Sequence, residues 1–121
     1  IDQMYRMRDL IDSGATIAFG SDWPVSSSNP ILGIATAVTR QTADSKPEGG
    51  WVMEQAIQIA EAFDSYSAAV SFQLTGQKKV PLSNGEPCDF IVLDQNPLET
   101  ASSKLRNIKV LATFKAGEKI A

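Results

Sequence analysis

The sequence predicts an α/β fold, and three observations carry that expectation. The run Thr16-Ile17-Ala18-Phe19-Gly20-Ser21-Asp22-Trp23-Pro24-Val25 reads as a short buried strand that stops on an acid. Ile17 and Phe19 are strand formers, whereas Trp23-Pro24 forbids the strand from continuing. Ahead of it lies a helical pattern closed by glycine, and helix, glycine, strand is the αβ half of a repeating barrel unit. Behind it come helical periodicities as far as Leu74, then strand signals separated by turns rich in Pro and Gly. Parallel α/β barrels place reacting groups at the C-terminal ends of their strands, which makes Asp22 the candidate catalytic residue.

The elements follow in order. From Asp2 to Asp12, Met4, Met7, Leu10 and Ile11 fall on one helical face, and Gly14 suits the left-handed position that closes it. Ala15 to Phe19 is the expected strand. Ser26-Ser27-Ser28-Asn29-Pro30 has helix-initiating chemistry, with Asn29 as cap and Pro30 at the first helical position. Ile31 to Arg40 is the helix it starts, with Ile31, Ile34, Ala35 and Val38 on one face. Thr42 to Gly50 reads as loop, and Gly49-Gly50 as a flexible connection. Met53 to Leu74 is helical in two pieces, interrupted near Asp64-Ser65, where both side chains compete for backbone hydrogen bonds. The small residues of Ser65-Tyr66-Ser67-Ala68-Ala69 imply tight packing.

Gln77 to Pro87 is turn, with Lys78-Lys79 solvated and Asn84-Gly85 a tight-turn pair. Cys88 to Asp94 is a strand that Asn96-Pro97-Leu98 ends. Lys109 to Phe114 is another, and Ala116-Gly117-Glu118 turns into a last short one at Lys119-Ile120.

A chain of 121 residues with 43% hydrophobic and 21% charged content fits one globular core. A net charge of −3, with acids and bases interspersed, speaks against a nucleic-acid partner. No apolar stretch approaches the ~20 residues of a membrane helix, which speaks against a membrane partner. The single cysteine, Cys88, excludes an internal disulfide and fits a reducing, cytoplasmic compartment.

Two strings in this chain resemble one family. Gly20-Ser21-Asp22-Trp23-Pro24-Val25, followed by Gly33-Ile34-x-x-Ala37-Val38-Thr39-Arg40, resembles the last barrel strand and following helix of the metal-dependent amidohydrolases. The likeness is greatest to the branch known as amidohydrolase family 3, or N-substituted formamide deformylase-like. Gly85-x-x-x-Asp89-x-x-Val92-Leu93-Asp94-x-Asn96-Pro97-Leu98 and the terminal Val110-Leu111-x-Thr113-Phe114-x-x-Gly117 resemble the small β-sandwich beside that barrel.

The resemblance implies the C-terminal part of a (β/α)8 TIM barrel plus strands of its sandwich, divided as residues 1–78 and 79–121. It implies that Asp22 is both the metal ligand and the catalytic proton shuttle. The implied cofactor is a divalent metal, zinc, which lowers the pKa of a bound water toward ~7. The same acid then hands the proton to a leaving amine. The implied substrate is a small molecule cleaved at an amide or formamide carbon–nitrogen bond.

The sequence contains no histidine. A catalytic zinc site uses three protein ligands and one open position, and the resembled family draws most of its ligands from histidines on earlier strands. The resemblance therefore implies a C-terminal fragment of a larger enzyme, without bound metal and without activity on its own. A fragment that leaves its last barrel strand unpaired is expected to self-associate.

Blander readings stand beside these. Asp22 could be a structural cap in a non-catalytic α+β module for binding or oligomerisation, since a strand-ending Asp is commonly a turn residue. Trp23 is a candidate for lining the substrate mouth and equally for packing its loop, and Pro24 fixes the loop's direction. Ser21 has no base partner and reads as a small residue fitting beneath the metal. Asp89 and Asp94, five apart, fall on opposite faces of a strand and read as strand-end turn residues. Cys88 has no histidine to activate it.

Overall fold

A computed structural model describes residues 4–77, 82, 84, 85 and 87–121. Helices α1 (Met7–Asp12), α2 (Pro30–Thr39), α3 (Ile59–Tyr66) and α4 (Ala68–Thr75) precede strands β1 (Phe90–Leu93), β2 (Val110–Lys115) and β3 (Glu118–Lys119). Short 3-10 helices lie at Met53–Gln55, Pro97–Glu99 and Ser102–Asn107. The chain is thus α/β, with one small antiparallel sheet in the order β1-β2-β3.

Helix α1 is shorter than the periodicity predicts. Tyr5 takes a left-handed backbone with φ 55°, so Met4 lies outside the helix, and residues 2 and 3 lie outside the described residues. Its end is as expected. Gly14, at φ 86°, donates to the Ile11 carbonyl at 2.9 Å, and Ala15 donates to the Leu10 carbonyl at 3.1 Å, the paired bonds of a Schellman cap.

Helix α2 begins as the sequence dictates. Asn29 Oδ1 accepts the Ile31 N–H at 3.0 Å, and Pro30 sits where no donor is needed. The same Asn-Pro device recurs at Asn96, whose Oδ1 accepts the Leu98 N–H at 3.0 Å and starts a 3-10 turn.

Ile31, Ile34, Ala35 and Ala37 of α2 are buried with Ile57, with Ala62 of α3, and with Leu105 and Ile108. Ile31 and Leu105 are almost completely enclosed, and full burial of such a side chain contributes about 1.5–3 kcal/mol. The core therefore joins the helices to the Ser102–Asn107 segment, a link that the turn-rich look of that stretch hides. The predicted boundary at 78/79 falls outside the described residues.

The break in the long helical stretch comes at Ser67, with φ −125° and ψ −89°, a little beyond the expected place. Of the two side chains expected to compete for backbone bonds, Ser65 does so, donating to the Glu61 carbonyl at 2.8 Å, and Ser67 rather than Asp64 joins it, donating to the Phe63 carbonyl at 2.7 Å. Tight packing also appears where the small residues predict it, with Ser65 and Ala69 buried.

The expected buried strand is absent. Ala15–Phe19 forms no strand. Beyond the cap bond from Ala15 to Leu10, its backbone bonds to the helices through the Phe19 N–H, which donates to the Ser65 carbonyl at 2.9 Å. A barrel strand needs neighbours on both edges to satisfy its amides, and no strand among the described residues runs beside it.

In the sheet, Phe90 pairs with Phe114 and their rings stack at 4.5 Å. The register slips between Val92 and Leu93. Ala116 and Gly117, at φ 50° and 82°, form the two-residue turn that joins β2 to β3. Asp89 Oδ1 holds the Ala116 N–H at 2.8 Å and Asp94 Oδ1 the Lys109 N–H at 2.9 Å, so both acids pin strand ends, as read.

Two experiments probe this packing. A Cβ on Gly33 would meet the Tyr66 hydroxyl at 2.2 Å, so Gly33→Ala is expected to cost about 1–3 kcal/mol in denaturant unfolding. Adding Tyr66→Phe should recover part of that loss, a non-additivity that a double-mutant cycle reads directly.

The second concerns Glu61, which accepts the Gln58 N–H at 2.7 Å and pairs with Arg8 of α1 at 2.8 Å. Arg8 first, and the Gln58 amide, hold the Glu61 carboxyl below its ordinary value against a smaller opposing effect of burial. Its stabilisation is therefore present above about pH 4.5 and lost as pH falls through the lower folded value. Glu61→Ala should cost about 1 kcal/mol or less at neutral pH, given partial solvation. It should also flatten the acid limb of a stability-against-pH curve.

Candidate functional site

The segment that follows Phe19 carries the candidate residues. Phe19 fixes its near end, with its ring edge-on to Tyr66 at 5.4 Å against the helical core. Ser26 fixes its far end by donating to the Ser21 carbonyl at 2.5 Å. Between them the chain turns sharply: the Val25 N–H bonds to the Asp22 carbonyl at 2.7 Å, and the Trp23–Pro24 peptide is cis.

Asp22 sits at the start of that turn with φ 50°, a left-handed conformation that Asp and Asn tolerate better than most residues. Its side chain is exposed. Among the described residues the carboxylate accepts no hydrogen bond and joins no ion pair, so it caps nothing and holds no turn. The backbone of Asp22 serves the fold, and its side chain is free for other chemistry.

Trp23 is 69% exposed and Val25 80% exposed. The tryptophan thus does not pack its own loop into the core. Ser21 is half-buried beneath the turn, and its carbonyl rather than its hydroxyl takes part in the local bonding.

A catalytic metal asks for about three protein donors converging on one point. Among the described residues no group of three or more His, Cys, Asp or Glu comes together in that way. Asp22 is one donor without companions here, so these residues by themselves do not fit a metal. Asp89, Asp94 and Cys88 lie on the sheet, where the two acids are engaged with backbone amides and Cys88 is a half-buried free thiol.

A cavity of about 690 Å³ opens beside the turn, lined by Gly20, Ser26 and Ser27 from this segment and by the face of α2 that carries Gly33, Thr36 and Arg40. Asp22 and Trp23 are not part of its wall. Sequence reasoning missed two residues of that wall. Arg40 is buried, donates from Nε to the Trp51 carbonyl at 3.0 Å and lies over the Trp51 ring at 5.0 Å. Arg106 reaches the Gln41 carbonyl and the Thr36 and Thr39 hydroxyls. Arginine in a string otherwise read for packing was the available signal for the first. The second lay in a stretch with no periodic pattern.

Since its side chain holds nothing in place, Asp22→Asn should leave thermal stability within about 0.5 kcal/mol of the parent. Asp22→Ala should cost about 1 kcal/mol, from the left-handed backbone alone. Melting curves of the two variants check both.

Comparison with known proteins places the chain. A family model described as "Amidohydrolase family" matches residues 1–121. The chain is 29% identical over 121 residues to Protein LONG AFTER FAR-RED 3 of Arabidopsis thaliana, covering 99% of this chain and 20% of that protein. It is 24% identical over 118 residues to the N-substituted formamide deformylase of Arthrobacter pascens, covering 95% of this chain and 21% of that one. It is 26% identical over 117 residues to YtcJ of Bacillus subtilis (strain 168), which carries the name of an amidohydrolase, covering 94% and 22%. The chain spans about a fifth of the length of these curated relatives. No solved structure matches it. The chain belongs to the amidohydrolase family.

Proposed function

We propose that this amidohydrolase segment belongs to a metal-dependent hydrolase of carbon–nitrogen bonds in small amide or formamide-type molecules. In this reading it supplies the end of a TIM barrel (1–78) and part of the adjoining sandwich (79–121). The observation that carries the reading is Asp22: a carboxylate held at a fixed turn yet left without a structural task. Family membership over the whole chain and the name of one relative, a formamide deformylase, support the substrate class.

Asp22 serves there as one ligand of a divalent metal, zinc, and as the carboxylate that takes up and returns a proton. A metal at such a site supplies a water acidic enough to be deprotonated near neutral pH. The remaining donors come from polypeptide outside these 121 residues, so this segment alone is inactive. Trp23, exposed beside Asp22, borders the substrate. The alternative of a binding module capped by Asp22 finds no cap in the geometry.

The cell compartment in this proposal is the cytoplasm, on the strength of the single free thiol. No helix among the described residues is long and apolar enough to cross a membrane. Taken alone, the segment self-associates through the apolar side chains its sheet leaves open. Ile91, Val92, Val110 and Leu111 are each more than a third exposed.

In the full-length enzyme, Asp22→Asn should lower kcat for an N-substituted formamide by about 10²–10⁴-fold, with the fold intact by circular dichroism. Elemental analysis should find a divalent metal in the parent. An enzyme that holds no metal, or that turns over equally well as Asp22→Asn, overturns the proposal.

A further inference from the structure

Asparagine stands at four positions in this chain, Asn29, Asn84, Asn96 and Asn107, and one of them has surroundings unlike the others. Asn29 and Asn96 each precede a proline, which has no backbone N–H, and each uses its Oδ1 in a cap bond of 3.0 Å. Asn107 precedes a β-branched residue. Ile108 is 4% exposed, and its N–H donates to the Leu105 carbonyl at 3.2 Å.

Asn84 precedes Gly85 in an exposed turn. Gly85 takes φ 86°, and a Cβ built on it would meet nothing within 4 Å. Among the described residues, neither the Asn84 side chain nor the Gly85 N–H makes a hydrogen bond.

The carboxamide carbon of an asparagine is an electrophile one ring closure away from the next backbone nitrogen, and the five-membered ring so formed is unstrained. In most folded chains that nitrogen is withheld by a hydrogen bond or screened by the next side chain. Neither obstacle stands at Gly85. We propose that Asn84-Gly85 is a site of spontaneous covalent modification, at which Asn84 loses its amide through a cyclic imide.

A hydroxide ion removes the Gly85 amide proton, and the nitrogen forms a bond to Asn84 Cγ. The Cγ–Nδ2 bond breaks, and the departing nitrogen takes a proton from water and leaves as ammonia. Water then opens the imide at either carbonyl. Opening at Cγ gives aspartate on an ordinary backbone. Opening at the main-chain carbon gives isoaspartate, whose backbone runs through the former side chain. Nothing is oxidised or reduced.

Either product places a new negative charge on this turn, in a chain whose net charge is already −3. Isoaspartate also adds one carbon to the main chain ahead of the sheet. The Gly117 N–H bonds to the Cys88 carbonyl at 2.9 Å and the Ala116 N–H to Asp89 Oδ1 at 2.8 Å, both past the turn. The change therefore falls outside the ladder of the sheet. The inference stands apart from Asp22 and from the proposed hydrolysis.

The test is incubation of the full-length parent and Asn84→Gln in warm buffer, mildly acidic or mildly alkaline. Samples taken over time are digested in mild acid and their peptides read by mass spectrometry. The parent should lose the Asn84 amide, with the mass gain of OH for NH2, and faster in the alkaline buffer. Two products of equal mass should separate by chromatography, and an isoaspartyl carboxyl methyltransferase should label one of them. Asn29, Asn96 and Asn107 of the same molecules are internal standards and should keep their amides. Asn84→Gln should keep its amide too, because its ring would be six-membered. Loss at Asn84 no faster than at Asn107 overturns the proposal. So does an aspartyl product without isoaspartate, the mark of direct hydrolysis.

Discussion

Helix α2 can be surrounded only because so many of its side chains are small, and the rest of the molecule is arranged around that permission. Gly33 lets the Tyr66 hydroxyl come to where a Cβ would stand, at 2.2 Å. Ala35 and Ala37 disappear completely or nearly so beneath α3 and the Ser102–Asn107 segment. Close approach raises the number of dispersion contacts per residue, which is how a short helix with few large side chains still anchors a core. Tyr66, placed by that approach, then carries Phe19 on its edge. Phe19 in turn fixes the chain just before Asp22. The position of the candidate catalytic residue is therefore a consequence of a glycine and a tyrosine far from it in sequence.

Two regions show surface that this core does not use. The segment 15–20 is tied to the helices by backbone bonds at its two ends alone among the described residues, from Ala15 to Leu10 and from Phe19 to Ser65, although its residues are those of a buried strand. The sheet carries Phe90 stacked on Phe114, with exposed aliphatic side chains on neighbouring positions. Strand-forming residues stabilise only when cross-strand neighbours and a covering layer exist. Both regions have the composition of interior structure and the exposure of a surface.

Local chemistry made most elements legible, and non-local packing hid the rest. Asn29-Pro30 and Asn96-Pro97 announced their turns because the cap bond closes within two residues. Asp89 and Asp94 were readable as strand-end acids from their positions flanking an apolar run, although the amides they hold, of Ala116 and Lys109, are distant in sequence. The strand at 15–19 was misread because strand-forming residues make a strand only beside a ladder partner, and no strand among the described residues runs beside it. Gly49-Gly50 was misread as a flexible link. A Cβ on Gly50 would strike the Thr39 carbonyl at 2.5 Å, so that glycine marks a tight corner against α2. Leu105 and Ile108 went unnoticed because a 3-10 segment has no 3.6-residue rhythm to betray its buried side. For the candidate site, the identity of Asp22 was legible from its string, whereas its lack of any bonding duty required coordinates.

Asp22 and Arg40 each carry a charged group with an open bonding position among the described residues, and the two carry different weight. An exposed carboxylate such as Asp22 is solvated by water, so the absence of a protein partner costs little and becomes meaningful only through the fixed turn that presents it. A guanidinium as enclosed as Arg40 has little water to fall back on. Its open hydrogen-bonding position is an energetic deficit that the indole of Trp51 reduces but does not remove, because a ring face balances charge without accepting the N–H bond. The fold tolerates this deficit while bracing the side chain at two points, the Trp51 carbonyl and the Trp51 ring.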